Sequence, residues 1–197
     1  MLGTEDLAQA KATLRREASK RRARVDRKQS EIAANTLAER FCVTQQENLP
    51  HSIVAIYWPI RNEIDVRPLM DLLRMKRVCA VLPTMAGPGN PLIFRRWAPG
   101  DMLVDAGFGV KEPLPSAPVI TPDVIILPLL AFDAGCNRLG YGAGYYDSTL
   151  AALRREHKIL AVGVAYDEQE LPKIPVNCHD QCLDVVLTES RELTPPK

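Results

Sequence analysis

Residues 124–132 read VIILPLLAF, nine positions without one polar side chain. A strand with one face in water alternates, whereas a run apolar at every position needs cover on both sides. That demand leaves mainly one architecture, a mostly parallel sheet with helices on both faces. The rest of the chain agrees with it. IVAIYW (53–58), VCAVL (78–82, ended by Pro83), LIFRRW (92–97), ILAVGVAY (159–166) and DVVLT (184–188) read as further strands. Residues 66–76 suit a helix, with Asp65 as cap and Pro68 in the first turn, and so do 145–157, with Tyr146, Leu150 and Leu153 on one side. Residues 5–42 lack Gly and Pro and predict two helices that break near 25–30. The expected fold is therefore α/β and a single domain over 1–197, with basic helices at 5–42, an α/β core at 50–190 and a short tail at 191–197 whose TPPK looks dispensable. Residues 98–122, rich in Pro and Gly, form a segment long enough to predict a functional loop.

Immediately after the apolar run comes RLGYGAGYYD (138–147). In such sheets ligands bind beyond the carboxyl ends of the strands. Gly140, Gly142 and Gly144 let the backbone approach a ligand, and the helix that follows adds its positive dipole end. The combination predicts an anion cradle, with Arg138 as a forked contact to phosphate and Asp147 placed for magnesium. Neither G-x-x-x-x-G-K-[ST] nor G-x-G-x-x-G occurs here, which excludes a P-loop and a dinucleotide fingerprint. The plainer alternative is a tight strand-to-helix turn with buried tyrosines.

Charge narrows the function classes. The net charge is +1, but residues 11–28 hold nine Lys/Arg against Glu17 and Asp26. That stretch reads as a nucleic-acid arm, as a solvated helix face, or as a few cations aimed at phosphate; Lys11 and Arg15, four apart, share one face. No apolar run reaches the roughly 20 residues that span a bilayer, and the first twenty residues carry early acids, so a cytoplasmic location without membrane partner is expected. The five cysteines then read as reduced thiols. Cys178, His179 and Cys182 lack the further ligand pair that a closed zinc site needs. Glu63, Trp58, Trp97 and Asp180 are further candidates from position and residue type, each with an ordinary packing or turn-forming alternative.

Four blocks together resemble the 5-formyltetrahydrofolate cyclo-ligase family: KATLR (11–15), YWPIRNEID (57–65), PLLAFDAGCNRLGYGAGYYDSTL (128–150) and IPVNCHDQCLDVVLTE (174–189). FRRW, GD and FGVKEP within 94–113 fit a weaker middle block. The resemblance implies ATP- and Mg-dependent conversion of 5-formyltetrahydrofolate to 5,10-methenyltetrahydrofolate, with ADP and phosphate released. It implies ATP contacts from Lys11, Arg15, Arg138, Gly140, Tyr141, Gly142, Ala143, Gly144, Tyr145 and Tyr146, and metal ligation by Asp147 and Asp180. It further implies that Arg138, Tyr146 and Asp147 carry the chemistry. Glu63 matches the pterin-binding glutamate, and Tyr57, Trp58, Trp97 and Tyr145 fall on the folate side. Ala143 stands where the family often has Lys or Gly; an alanine resists positive φ, so the loop should keep φ negative there. The expected partners are folate and ATP, without nucleic acid, for a monomer or weak homodimer. A non-catalytic folate- or nucleotide-binding paralogue and an RNA-binding protein led by helix 11–28 are the rival readings.

Overall fold

The computed structural model describes residues 4–87, 89–107 and 109–196; Phe108 of the FGVKEP block lies outside them. Helices α1 (Thr4–Arg22) and α2 (Arg27–Thr44) open the chain. They part where Asp26 caps α2: its carboxylate accepts the Gln29 N–H, and the Gln29 side chain accepts the Asp26 N–H. Strand β1 (Ile53–Ala55), helix α3 (Arg67–Met75), and strands β2 (Cys79–Thr84) and β3 (Ile93–Arg96) follow. Next come β4 (Leu103–Asp105), β5 (Lys111–Pro113), β6 (Val124–Pro128), β7 (Ala131–Phe132) and β8 (Arg138–Leu139). Helix α4 (Tyr145–Leu153) and strands β9 (Leu160–Val164), β10 (Val185–Leu187) and β11 (Glu192–Leu193) complete the fold.

Seven strands form one sheet in the order β11-β10-β9-β6-β1-β2-β3, parallel inside and antiparallel at both edges. Strand periodicity sorts the side chains between two cores. Val54, Leu82, Ile126, Val162 and Leu187 pack with Leu37 and Phe41 of α2 and Leu69 and Leu73 of α3. Ala55, Val81, Ile125, Leu127 and Val186 point the other way, onto Leu150 of α4. Helices therefore cover both faces, as VIILP demands. Helix α1 does a different job: its Ala18 packs against Leu130, Ala131 and Leu139, so it backs the β7–β8 ribbon that carries the glycine loop. No helix among the described residues is long and apolar enough to cross a membrane.

Four expectations need correction. VIILPLLAF is not one strand. The chain leaves the sheet after Pro128, because the Leu129 carbonyl is taken by Arg22 and Gln169 and Leu130 N–H bonds Leu139 in the ribbon. Pro83 does not end β2. The carbonyl of Val81 serves the β1 side while that of Ala80 serves the β3 side, so residue 83 faces β1, which has already ended at Ala55. A missing N–H costs nothing at that position. Residues 98–122 are not loop throughout: they contain the β4–β5 hairpin and are tied to β3 by Arg96 N–H to Pro118 O and Ile120 N–H to Phe94 O, while Val110, Lys111 and Glu112 line the cavity described below. Finally, Glu192–Leu193 in the expected tail pair with β10 as an edge strand.

Candidate active site

The chain passes from β1 to β2 on one side of the sheet and later places β6 on the other side of β1, so strand order reverses between β1 and β6. Side chains and loops at the carboxyl ends of these strands border a crevice there. A cavity of about 1150 Å³ occupies it, and Tyr57, Trp58, Pro83 and Pro128 lie on its wall.

The glycine loop lines this cavity. Its ribbon is pinned by buried Asp133, whose carboxylate accepts the N–H groups of Gly135, Asn137 and Ile174. Its helix is pinned by Thr149, which accepts the Leu92 N–H and donates to Tyr145 O. Between these anchors Gly142 has φ +104° and Gly144 has φ +73°, conformations that exclude most side chains. Ala143 between them is absent from the positive-φ residues, as its side chain requires. Among the described residues, no N–H from Gly142 to Asp147 finds an acceptor; the first to do so is Ser148, on Gly144 O. Six consecutive free donors at the start of a nine-residue helix make an anion cradle.

Cations surround it. Arg15 donates through Nε to Gly140 O at 2.9 Å, and its guanidinium lies 3.1 Å from where a β-carbon on Gly142 would sit. Its terminal nitrogens stay free of protein partners among the described residues. Arg138 donates to Asp147 Oδ1 at 2.7 Å, and its buried Nε has no partner. Lys11 pairs with Asp180. Asp147 Oδ1 also accepts the Gln181 N–H, and Asp180 Oδ2 accepts the Asn177 N–H. Each carboxylate thus keeps its second oxygen uncommitted on the wall of one cavity. Among the described residues no group of three or more His, Cys, Asp or Glu is arranged to hold a metal. Magnesium shared with phosphate oxygens needs only one or two carboxylates, so this donor pair fits it.

The wall also carries aromatic rings and one buried acid. Glu63 is 7% exposed and accepts the Ile60 N–H at 2.9 Å. Burial pushes its carboxyl above the usual range, and the Ile60 bond, the Arg22 charge and the Tyr141 hydroxyl pull it back. Tyr57 donates to Ile64 O, and burial pushes its phenol up, as it does for Tyr146. Trp58 presents its ring to the cavity, edge-on to Trp97 with centroids 5.9 Å apart. Trp97 itself does not reach the cavity wall. It is buried behind Trp58, where its indole N–H meets Asp101 O.

Every other candidate residue lines this one cavity: Lys11, Arg15, Tyr57, Trp58, Glu63, Arg138, the run from Gly140 to Asp147, and Asp180. Three contributors escape the sequence reading. Asp133 carried no signal beyond a turn-forming residue type. Arg155 reaches the cavity from beyond α4. Arg22, in the stretch for which a solvated helix face is one of three readings, is 3% exposed. The basic stretch is thus divided: Lys11 and Arg22 are buried, whereas Arg16, Lys20, Arg21, Arg24, Arg27 and Lys28 stay exposed.

The profile of the 5-formyltetrahydrofolate cyclo-ligase family matches residues 7–189. The 5-formyltetrahydrofolate cyclo-ligase of Escherichia coli (strain K12) is 33% identical over 178 residues, 87% of this chain and 96% of that one. The enzyme of the same name from Mycolicibacterium smegmatis is 36% identical over 146 residues, 70% of this chain and 74% of that one. Among solved structures, Aquifex aeolicus 5,10-methenyltetrahydrofolate synthetase aligns with a TM-score of 0.78 at 27% identity, covering 95% of this chain and 93% of that one. The Mycoplasma pneumoniae synthetase, at 21% identity and a TM-score of 0.73 over 91% and 98% of the chains, shares the fold.

Proposed function

Because the chain belongs to the 5-formyltetrahydrofolate cyclo-ligase family and is a ligase of that kind, we propose that its cavity seats ATP on the glycine cradle and 5-formyltetrahydrofolate on the Glu63 side. The observation that carries this reading is the mixed lining of one cavity: free N–H groups and cations, together with aromatic rings and a buried carboxylate.

The chemistry follows from the leaving-group problem. A formyl oxygen leaves poorly. Transfer of the γ-phosphoryl group forms an O–P bond at that oxygen and breaks the β–γ bridge, releasing ADP. Folate N10 then attacks the activated carbon, the C–O bond breaks, phosphate departs and N10 gives up its proton. Such a transfer needs alignment and charge neutralisation, and no protein nucleophile. The cradle and the free nitrogens of Arg15 hold phosphate oxygens, and Arg138 stands beside the transferring group. Glu63, as carboxylate, accepts N–H donors of the pterin, and Trp58 and Tyr145 flank its rings. Asp147 and Asp180 would hold magnesium, which neutralises phosphate charge when bound. A cytoplasmic setting is consistent with five unpaired cysteines.

The test is methenyl absorbance and phosphate release from 5-formyltetrahydrofolate, ATP and magnesium. One product and one phosphate per ATP support the enzyme; tight binding without turnover returns the non-catalytic paralogue. Lys11→Ala and Arg15→Ala are each expected to raise the KM for ATP about tenfold, with little change in the folate KM. Unchanged ATP kinetics in the folded double variant would remove both from the site.

A further inference from the structure

We propose that Arg22 is a positioning residue for the folate end of the site, holding the Tyr141 hydroxyl against Glu63 and so tying helix α1 to substrate binding. This rests on the assignment of Glu63 to the pterin. Arg22 does not line the cavity, yet it is almost wholly buried. Its guanidinium donates to Leu129 O at 3.3 Å and to Tyr141 Oη at 2.6 Å, while Nε has no partner. It forms no ion pair among the described residues, and neither does buried Glu63. Two opposite charges left without a direct salt bridge are costly unless each offsets the other. Tyr141 shares the cavity wall with Glu63: Arg22 occupies its hydroxyl oxygen as donor, which leaves its proton available, and the Glu63 carboxyl responds to both groups.

The groups that face Glu63 come from every neighbouring element. They are Arg22 of α1, Tyr57 beyond β1, Arg61 of its own loop, Tyr141 of the glycine loop and Tyr146 of α4. Both guanidinium groups lie over the Tyr141 ring, 5.5 Å (Arg22) and 5.8 Å (Arg61) from its centroid, but of the two cations only Arg22 is buried. Loss of Arg22 therefore frees Tyr141 and favours the neutral form of Glu63, so folate binding fails at a higher pH than in the parent.

The test uses Arg22→Gln, Arg22→Lys, Tyr141→Phe and the Gln/Phe double variant, with Glu63→Gln as reference. Arg22→Gln and Tyr141→Phe should each raise the folate KM about tenfold and shift the acid limb of kcat/KM for folate upward, with a smaller change in the ATP KM. Arg22→Lys should recover part of the loss, and the double variant should be no worse than the poorer single one. Wild-type folate KM and acid limb in folded Arg22→Gln overturn the proposal, as does an equal rise in both substrates' KM. If Arg22→Gln does not fold, Tyr141→Phe decides in the same way, since it removes one hydroxyl alone. An unchanged folate KM in Glu63→Gln sinks the Glu63 assignment itself; a rise there with none in the other variants sinks only the role of Arg22.

Discussion

Asp147→Ala is expected to lower kcat roughly 10³-fold while leaving folate affinity in place. Asp147 sits in the first turn of α4, where the six free N–H groups end. One of its oxygens holds Arg138 and the Gln181 N–H, and the other has no partner among the described residues. Alanine removes the proposed metal ligand and also frees the buried Arg138 guanidinium from its counter-ion, so two parts of the transfer machinery fail together. Asp147→Asn separates them, because the amide oxygen can still accept from Arg138 and Gln181 without carrying charge. A comparable loss in the asparagine variant, with weakened apparent magnesium affinity, assigns the effect to the metal. Near-normal turnover in Asp147→Asn would assign it to the positioning of Arg138.

The second large effect is expected from Gly142→Val: a rise of about 10²-fold or more in the KM for ATP. At φ +104° a β-branched residue is a steric outlier. Its β-carbon would press on the Arg15 guanidinium at 3.1 Å. The backbone must rotate, the N–H groups lose their common direction, and Arg15 loses its bond to Gly140 O. The control is Gly144→Ala. That site has φ +73° and open space around a new β-carbon, so it costs only the backbone strain of about 1–2 kcal/mol. Equal effects on ATP in the two variants would mean that strain, not loss of the Arg15 contact, sets the outcome.

The sheet was legible in the sequence because burial on both faces leaves a mark that period alone can read, as in VIILP. The glycine loop was legible because three alternate glycines before a helix have few structural uses. What stayed hidden depends on partners distant in the chain. Pro83 continues its strand only because β1 stops early, and that register is a tertiary fact. Trp97 and Trp58 look equivalent as residue types, and only packing decides that one faces the cavity and the other stands behind it. Arg22 is one cation among nine in its stretch. Its burial follows from the docking of α1 on the β7–β8 ribbon rather than on the sheet, which helical periodicity alone does not specify.

Amide hydrogen exchange, read residue by residue with and without ATP and magnesium, bears most directly on the claim that free backbone donors grip the nucleotide. Slowed exchange across Gly142–Asp147, with smaller changes elsewhere, is the predicted pattern. Saturable nucleotide binding that leaves those six amides exchanging at their original rates, and protects another segment instead, would contradict it.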